Sequence, residues 1–113
     1  MGRRPALMAP AARARFLEAI AYTADRSPAA AENLIRQMRE LRERLADFPN
    51  IGVRGDIPGT RRVVIAPYVL TTRIGAGGIE IVAFRHAKQK DAYAPSELLD
   101  EKDEGPRSGP PKA

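Results

Sequence analysis

Hydrophobic positions recur at steps of three and four through the first half of the chain, and at steps of two through the second. The first stripe, Phe16, Leu17, Ile20, Ala21 and Ala24, predicts a helix from Ala11 to about Ala24, with Pro10 suited to its first turn. Arg13, Arg15, Glu18 and Asp25 fall on its other faces. Asp25-Arg26-Ser27-Pro28 breaks the pattern and restarts it: Ser27 can cap the next helix and Pro28 can open it. The second stripe, Ala31, Leu34, Ile35, Met38, Leu41, Leu45 and Phe48, predicts a helix from Pro28 to about Asp47. Glu32, Arg36, Glu40 and Arg44 form a charge ladder on its outer side. Two amphipathic helices joined by so short a link should pack as an antiparallel hairpin.

Beyond Phe48-Pro49-Asn50 the period changes. A turn-rich connector over 49–60 closes with Pro58-Gly59, the central pair of a type II turn. Arg62–Ala66, Tyr68–Ile74 and Ile79–Phe84 then read as three strands, bent at Pro67 and joined by the Gly75-Ala76-Gly77-Gly78 hairpin loop. In the first, Val63 and Ile65 share a face opposite Arg62 and Val64; in the second, Tyr68, Leu70, Thr72 and Ile74 alternate against Val69, Thr71 and Arg73. In the last strand Ile79, Ile81 and Ala83 should oppose Glu80, Val82 and Phe84. The apolar character of that strand suggests an interior place in the sheet. Upstream, Arg4–Ala9 looks extended, and Pro5 confines any strand there to an edge. The expected fold is therefore α+β, in the order β-α-α-β-β-β, with an N-terminal edge strand and a helical hairpin on a twisted antiparallel sheet. One domain over 1–95 is followed by a charged, Pro/Gly-rich tail over 96–113, read as disordered, in which Ser96 could cap a single helical turn.

Composition narrows the chemistry. With no cysteine there are no disulfides or thiolate metal sites, and one histidine leaves no supported metal site. No metal or other cofactor is expected. Gly75–Gly78 is not followed by Lys-Ser/Thr and opens no helix, so it is a hairpin turn and not a phosphate loop. Ser27, Ser96 and Ser108 are a cap and two tail residues, none in a nucleophile-elbow setting. No apolar run reaches membrane-spanning length, and no apolar segment of a secretory signal follows the basic start, so the cytoplasm is the expected location.

Charge points to a partner. The chain carries 19 Lys and Arg against 14 Asp and Glu; three of those bases and five of those acids lie in 97–113. The remaining body therefore has a net charge of +7, which favours an anionic partner. Its cations gather on the strand ribbon as Arg61, Arg62, Arg73, Arg85, Lys88 and Lys90, around the single histidine, His86. If the arginines converge, they suit phosphate or carboxylate, and His86 could serve as general acid or base in RNA cleavage. Alternatively His86 caps a carbonyl at a strand end and the arginines are simply solvated.

Several segments, taken in order, resemble the RelE/ParE superfamily of type II toxin–antitoxin systems over about residues 3–93. They are Leu45-x-x-Phe48-Pro49 with Gly52, Ile57-Pro58-Gly59-x-Arg61-Arg62, Tyr68-Val-Leu-Thr-Thr-Arg73-Ile and Ile79-Glu-Ile-Val-x-x-x-His86-x-x-Gln89. The resemblance implies a toxin bound by a cognate antitoxin, whose C-terminal segment would wrap the basic body. It also implies one of two activities: poisoning of DNA gyrase in the ParE-like branch, or ribosome-dependent mRNA cleavage in the RelE-like branch. RelE-like nucleases carry an arginine near the start of the strand that begins here at Tyr68; this chain has Pro67-Tyr68 there, and its nearest late tyrosine is Tyr93. Tyr68, Arg73 and Arg85-His86-x-x-Gln89 fit the ParE-like branch better. The residues expected to meet target or antitoxin are Arg61, Arg62, Tyr68, Arg73, Arg85, His86 and Lys88. For a nuclease, His86, Arg61, Arg62 and Arg85 would be catalytic. A degenerate toxin fold that only binds is the third reading.

Overall fold

The computed structural model describes residues 4–99. Strand β1 (Leu7–Met8) leads into helices α1 (Pro10–Arg26) and α2 (Pro28–Asp47). They are followed by β2 (Val53–Arg54), β3 (Arg61–Ile65), β4 (Tyr68–Gly75) and β5 (Gly78–His86). The five strands form one sheet in the order β1-β5-β4-β3-β2. The predicted α+β order holds, with one addition: Val53–Arg54, expected within a connector, pairs with Arg61–Arg62 as a short edge strand. The sheet is mixed, because β1 runs parallel to β5 while the other pairs are antiparallel.

Local chemistry explains the boundaries. Ser27 ends α1 and caps α2: its Oγ accepts the Ala30 N–H at 3.1 Å, with Pro28 next in line. Gly59 has φ +84°, as the third position of a type II turn requires, and the Thr60 N–H donates to the Ile57 carbonyl at 3.1 Å. Gly52 (φ +94°) lies so close to β3 that a Cβ there would sit 2.3 Å from the Arg62 carbonyl oxygen. Only glycine lets the connector pass. β1 is stapled to α2 from both sides: the Ala6 N–H donates to the Arg42 carbonyl at 2.9 Å, and Arg42 Nε donates to the Ala6 carbonyl at 2.7 Å.

The core lies between the hairpin and one sheet face. Ala12, Leu34, Met38, Leu41 and Leu45 pack there on Val63, Ile65, Leu70, Ile81 and Phe84. Four residues of the predicted stripes face solvent instead: Leu17 at 50% exposure, Ile35 at 41%, Phe48 at 63% and the small Ala21. Phe48 is the cap residue of α2, and its non-helical backbone (φ −133°, ψ 74°) swings it off the helical stripe.

The strict alternation expected of the last strand also fails, at a β-bulge. Thr71 pairs with Ala83 but Thr72 pairs with Ile81, so Val82 is the extra residue. The bulge reverses the facing of everything after it. Ile79 and Ile81 face the helices, and so do Phe84 and His86, while Val82, Ala83 and Arg85 face the other way.

That second face is also covered. The chain folds back after β5, and Leu98 and Ala94 pack with Ile57, Val82 and Ala83. Residues 96–99 form one helical turn with Leu98 buried, so the packed structure runs past the boundary expected at 95. Ser96 does not cap that turn through its hydroxyl, which donates to Asp91 Oδ2 at 2.9 Å. The rest of the expected tail, 100–113, lies outside the described residues. Among the described residues no helix is long and apolar enough to cross a membrane.

Candidate functional site

Cross-strand partners share a face, so the register sorts the predicted site residues. Tyr68 is paired with His86 on the helix side, at the end of the ribbon that turns through Ala66-Pro67. The Tyr68 ring stacks on Phe84 (centroids 4.8 Å apart, planes at 25°) and meets the His86 ring edge-on at 5.6 Å. Phe16 of α1 closes on the Phe84 edge at 5.5 Å. Over this aromatic stack opens a cleft of about 270 Å³, lined by Arg15, Glu18 and Tyr22 of α1 and by Tyr68, His86 and Gln89.

The chain after β5 fixes the imidazole. His86 Nδ1 accepts the Lys88 N–H at 3.1 Å, so the proton of a neutral ring sits on Nε2. Gln89 ties back in both directions: its Oε1 accepts the His86 N–H and its own N–H donates to the His86 carbonyl, each at 2.9 Å. Tyr22 at the rim is held by Arg26, whose guanidinium lies 3.7 Å over the ring. The cleft therefore offers a donor from His86, a guanidinium from Arg15, a carboxylate from Glu18 and aromatic surface. It suits a partner side chain or a planar group better than a fully charged one.

The expected arginine cluster does not assemble here. Arg61 pairs with Thr72 on the helix side, four residues along β4 from Tyr68, or about 13 Å. Arg62 lies on the opposite face, 3.6 Å from Asp56, with its guanidinium 5.0 Å from the Tyr93 ring centroid. Arg73 is on that face as well, paired with Glu80. Lys88 follows the His86 end, and its backbone N–H orients the imidazole.

Arg85 departs furthest from expectation. Its side chain is 1% exposed, lying beneath the folded-back segment. Nε and Nη2 donate to the two Asp91 carboxylate oxygens at 3.0 and 3.1 Å. Nη1 donates to the Phe84 carbonyl at 3.1 Å and to Glu97 Oε2 at 3.3 Å, and Nη2 also donates to Glu97 Oε1. The hydrogen bond from Arg85, helped by the Ser96 N–H, holds the Asp91 carboxyl well below its ordinary range. Arg85 is thus a buried clamp for the C-terminal segment and no part of an exposed cationic surface.

Arg15, Glu18 and Tyr22 were not foreseen as site residues. Their spacing of three and then four residues is a helical stripe, legible as such, but nothing in the sequence says that it faces the strand carrying His86. Among the described residues, no group of three or more His, Asp or Glu side chains is placed to hold a metal ion.

A helical hairpin on a strand meander agrees with the element order expected from the resemblance to the RelE/ParE superfamily. The sequence model of one family in that superfamily, the ParE toxin of type II toxin-antitoxin system, parDE, matches residues 7–91. The chain belongs to the ParE toxin family. A solved structure described as the chromosomal ParDE TA system from P. aeruginosa superposes with a TM-score of 0.54 at 13% identity, over 74% of this chain and 96% of that one. At that identity the likeness shows the fold. No curated protein matches the chain.

Proposed function

We propose that this protein is the toxin of a type II pair, acting in the cytoplasm to arrest growth by poisoning DNA gyrase and silenced by a cognate antitoxin. Family membership implies the antitoxin partner. The observation that favours gyrase over mRNA is the dispersal of the cations around His86. Arg61 stands about 13 Å down the strand, Arg62 and Arg73 lie on the far face, and Arg85 is neutralised by Asp91 and Glu97. A ribonuclease needs cations gathered on the scissile phosphate. The Tyr68–His86 cleft instead supports an aromatic, hydrogen-bonding contact with a protein surface, and the basic body supports an acidic antitoxin segment.

A ribosome-dependent endonuclease is the second reading, favoured by the convergence of Arg15, Glu18 and His86 on one cleft. Inducing the chain in growing cells separates the readings. Gyrase-dependent double-strand breaks support the first, and codon-specific mRNA cuts support the second. Growth arrest should be relieved by coexpression of the antitoxin encoded beside the toxin; harmless expression of the toxin alone counts against both.

A further inference from the structure

The helix side of the sheet has a further cavity, at the end of β4 away from His86. It measures about 120 Å³ and is lined by Pro49 and Asn50 beyond α2, Gly59 of the connector, Arg61 of β3, Thr72, Arg73 and Ile74 of β4 and Ile79 of β5. Thr72 is 1% exposed, and its Oγ1 is buried without a hydrogen-bond partner. A buried hydroxyl with no partner is uncommon because forming its hydrogen bond to water in the unfolded chain is lost without replacement. Arg61 stands beside it with one N–H donated to the Gly52 carbonyl at 3.2 Å, out of the five that a guanidinium carries. The Asn50 amide can add a further donor.

We propose that this cavity anchors a carboxylate side chain of a protein partner whose neighbouring residues are apolar. The donors supply the carboxylate chemistry: the Thr72 hydroxyl, the Arg61 guanidinium and the Asn50 amide all belong to residues that line the cavity. The apolar surroundings supply the rest. Ile74 and Phe48 are each 63% exposed, one lining the cavity and the other preceding its Pro49 wall, and a flanking aliphatic side chain would cover them. The net +7 of residues 1–96 would attract such an acidic segment. The inference takes from the antitoxin reading only a cellular source for the segment; the pocket itself can be tested without any antitoxin.

The test is an amide NMR titration of the full chain with the capped tripeptide acetyl-Leu-Glu-Leu-amide, its Gln counterpart and inorganic phosphate, at constant ionic strength. The Glu peptide should shift the Asn50, Arg61 and Thr72 amides saturably and bind about tenfold tighter than the Gln peptide or phosphate. Thr72→Val should unfold at the same temperature or higher, having lost the orphan hydroxyl, yet bind the Glu peptide about fivefold more weakly. Arg61→Gln, at a partly exposed position, should weaken binding at least as much, and it carries the test if Thr72→Val fails to fold. Equal binding of the Glu and Gln peptides, shifts centred elsewhere, or unchanged affinity in the folded variants would overturn the proposal. Tighter binding of phosphate would also overturn it, by making the cavity a nucleic-acid subsite.

Discussion

Arg85 and His86 are neighbours in sequence and opposites in the fold. Both read as exposed cationic or titratable groups at the end of a strand, and strand geometry sends them to different sides of the sheet. Arg85 turns to the face that the C-terminal segment covers, where two carboxylates and a backbone carbonyl occupy its donors. His86 turns to the helix side and borders an open cleft, with one ring nitrogen fixed by Lys88. The first is part of how the protein folds, the second part of what it can touch. A basic cluster in sequence is therefore no evidence of a basic patch until the register is known.

The comparison predicts that the two positions respond differently to substitution, and the largest effect is at Arg85. Replacing it by Met keeps the volume but strands Asp91 and Glu97, whose side chains are each 30% exposed. Partial access to water reduces the penalty below that of a fully buried pair, to about 2–3 kcal/mol. A urea denaturation curve should show that loss at its midpoint, while the folded fraction should still bind antitoxin. Unchanged stability would mean that the clamp does not hold the C-terminal segment.

Asp91→Asn should have a smaller effect, about 1 kcal/mol, because Ser96 and the remaining hydrogen bonds can persist. Its signature is in the pH dependence. Arg85 depresses the folded-state pKa of Asp91 below the ordinary value of 3.8, so the unfolded chain takes up the proton first. The contribution is complete above that value and is lost as the pH falls through it toward the lower folded-state pKa. Stability measured between neutral pH and pH 3 should fall less steeply in Asp91→Asn than in the parent chain. Equal slopes would place the acid sensitivity elsewhere.

Most of the scaffold could be read in advance because it follows from local rules. The Ser27-Pro28 restart, the Pro58-Gly59 turn, the Gly75–Gly78 hairpin and the stripe of α2 each act over a few residues. The site depended on two non-local facts. The bulge at Val82 decides which side Phe84, Arg85 and His86 occupy, and no residue type around it announces an extra residue in the ladder. The fold-back of residues 91–99 brings Asp91 together with Glu97 and Leu98, two residues of the expected tail, as the cover of the second sheet face. A run that ends in Pro and Gly after many charges looks unable to bury itself, and its composition gives no hint that an arginine is waiting beneath it.

On the cleft side the effects on folding are smaller and those on function larger. Tyr68→Leu removes the stack on Phe84 while leaving an apolar side chain, and should reduce stability by about 1 kcal/mol. In a domain of this size that lowers the unfolding temperature by about 4–8 °C. If the cleft contacts the target, growth arrest should need more inducer than this stability loss explains; a proportionate loss would reduce Tyr68 to packing.

His86→Gln should have the smallest effect on folding, within about 0.5 kcal/mol, because the residue sits at a strand end and Gln can still offer both a donor and an acceptor. Its effect on growth arrest separates the two proposed activities. If His86 only makes a hydrogen bond to the target, Gln should retain toxicity to within about fivefold in the inducer level required. If His86 moves a proton during RNA cleavage, Gln cannot take that role, and activity should fall on the order of a hundredfold or more. Retained arrest with gyrase-dependent breaks keeps His86 a contact residue; loss of both arrest and mRNA cuts makes it a catalytic one. Either result sharpens the contrast with Arg85, where loss of function should follow loss of the fold.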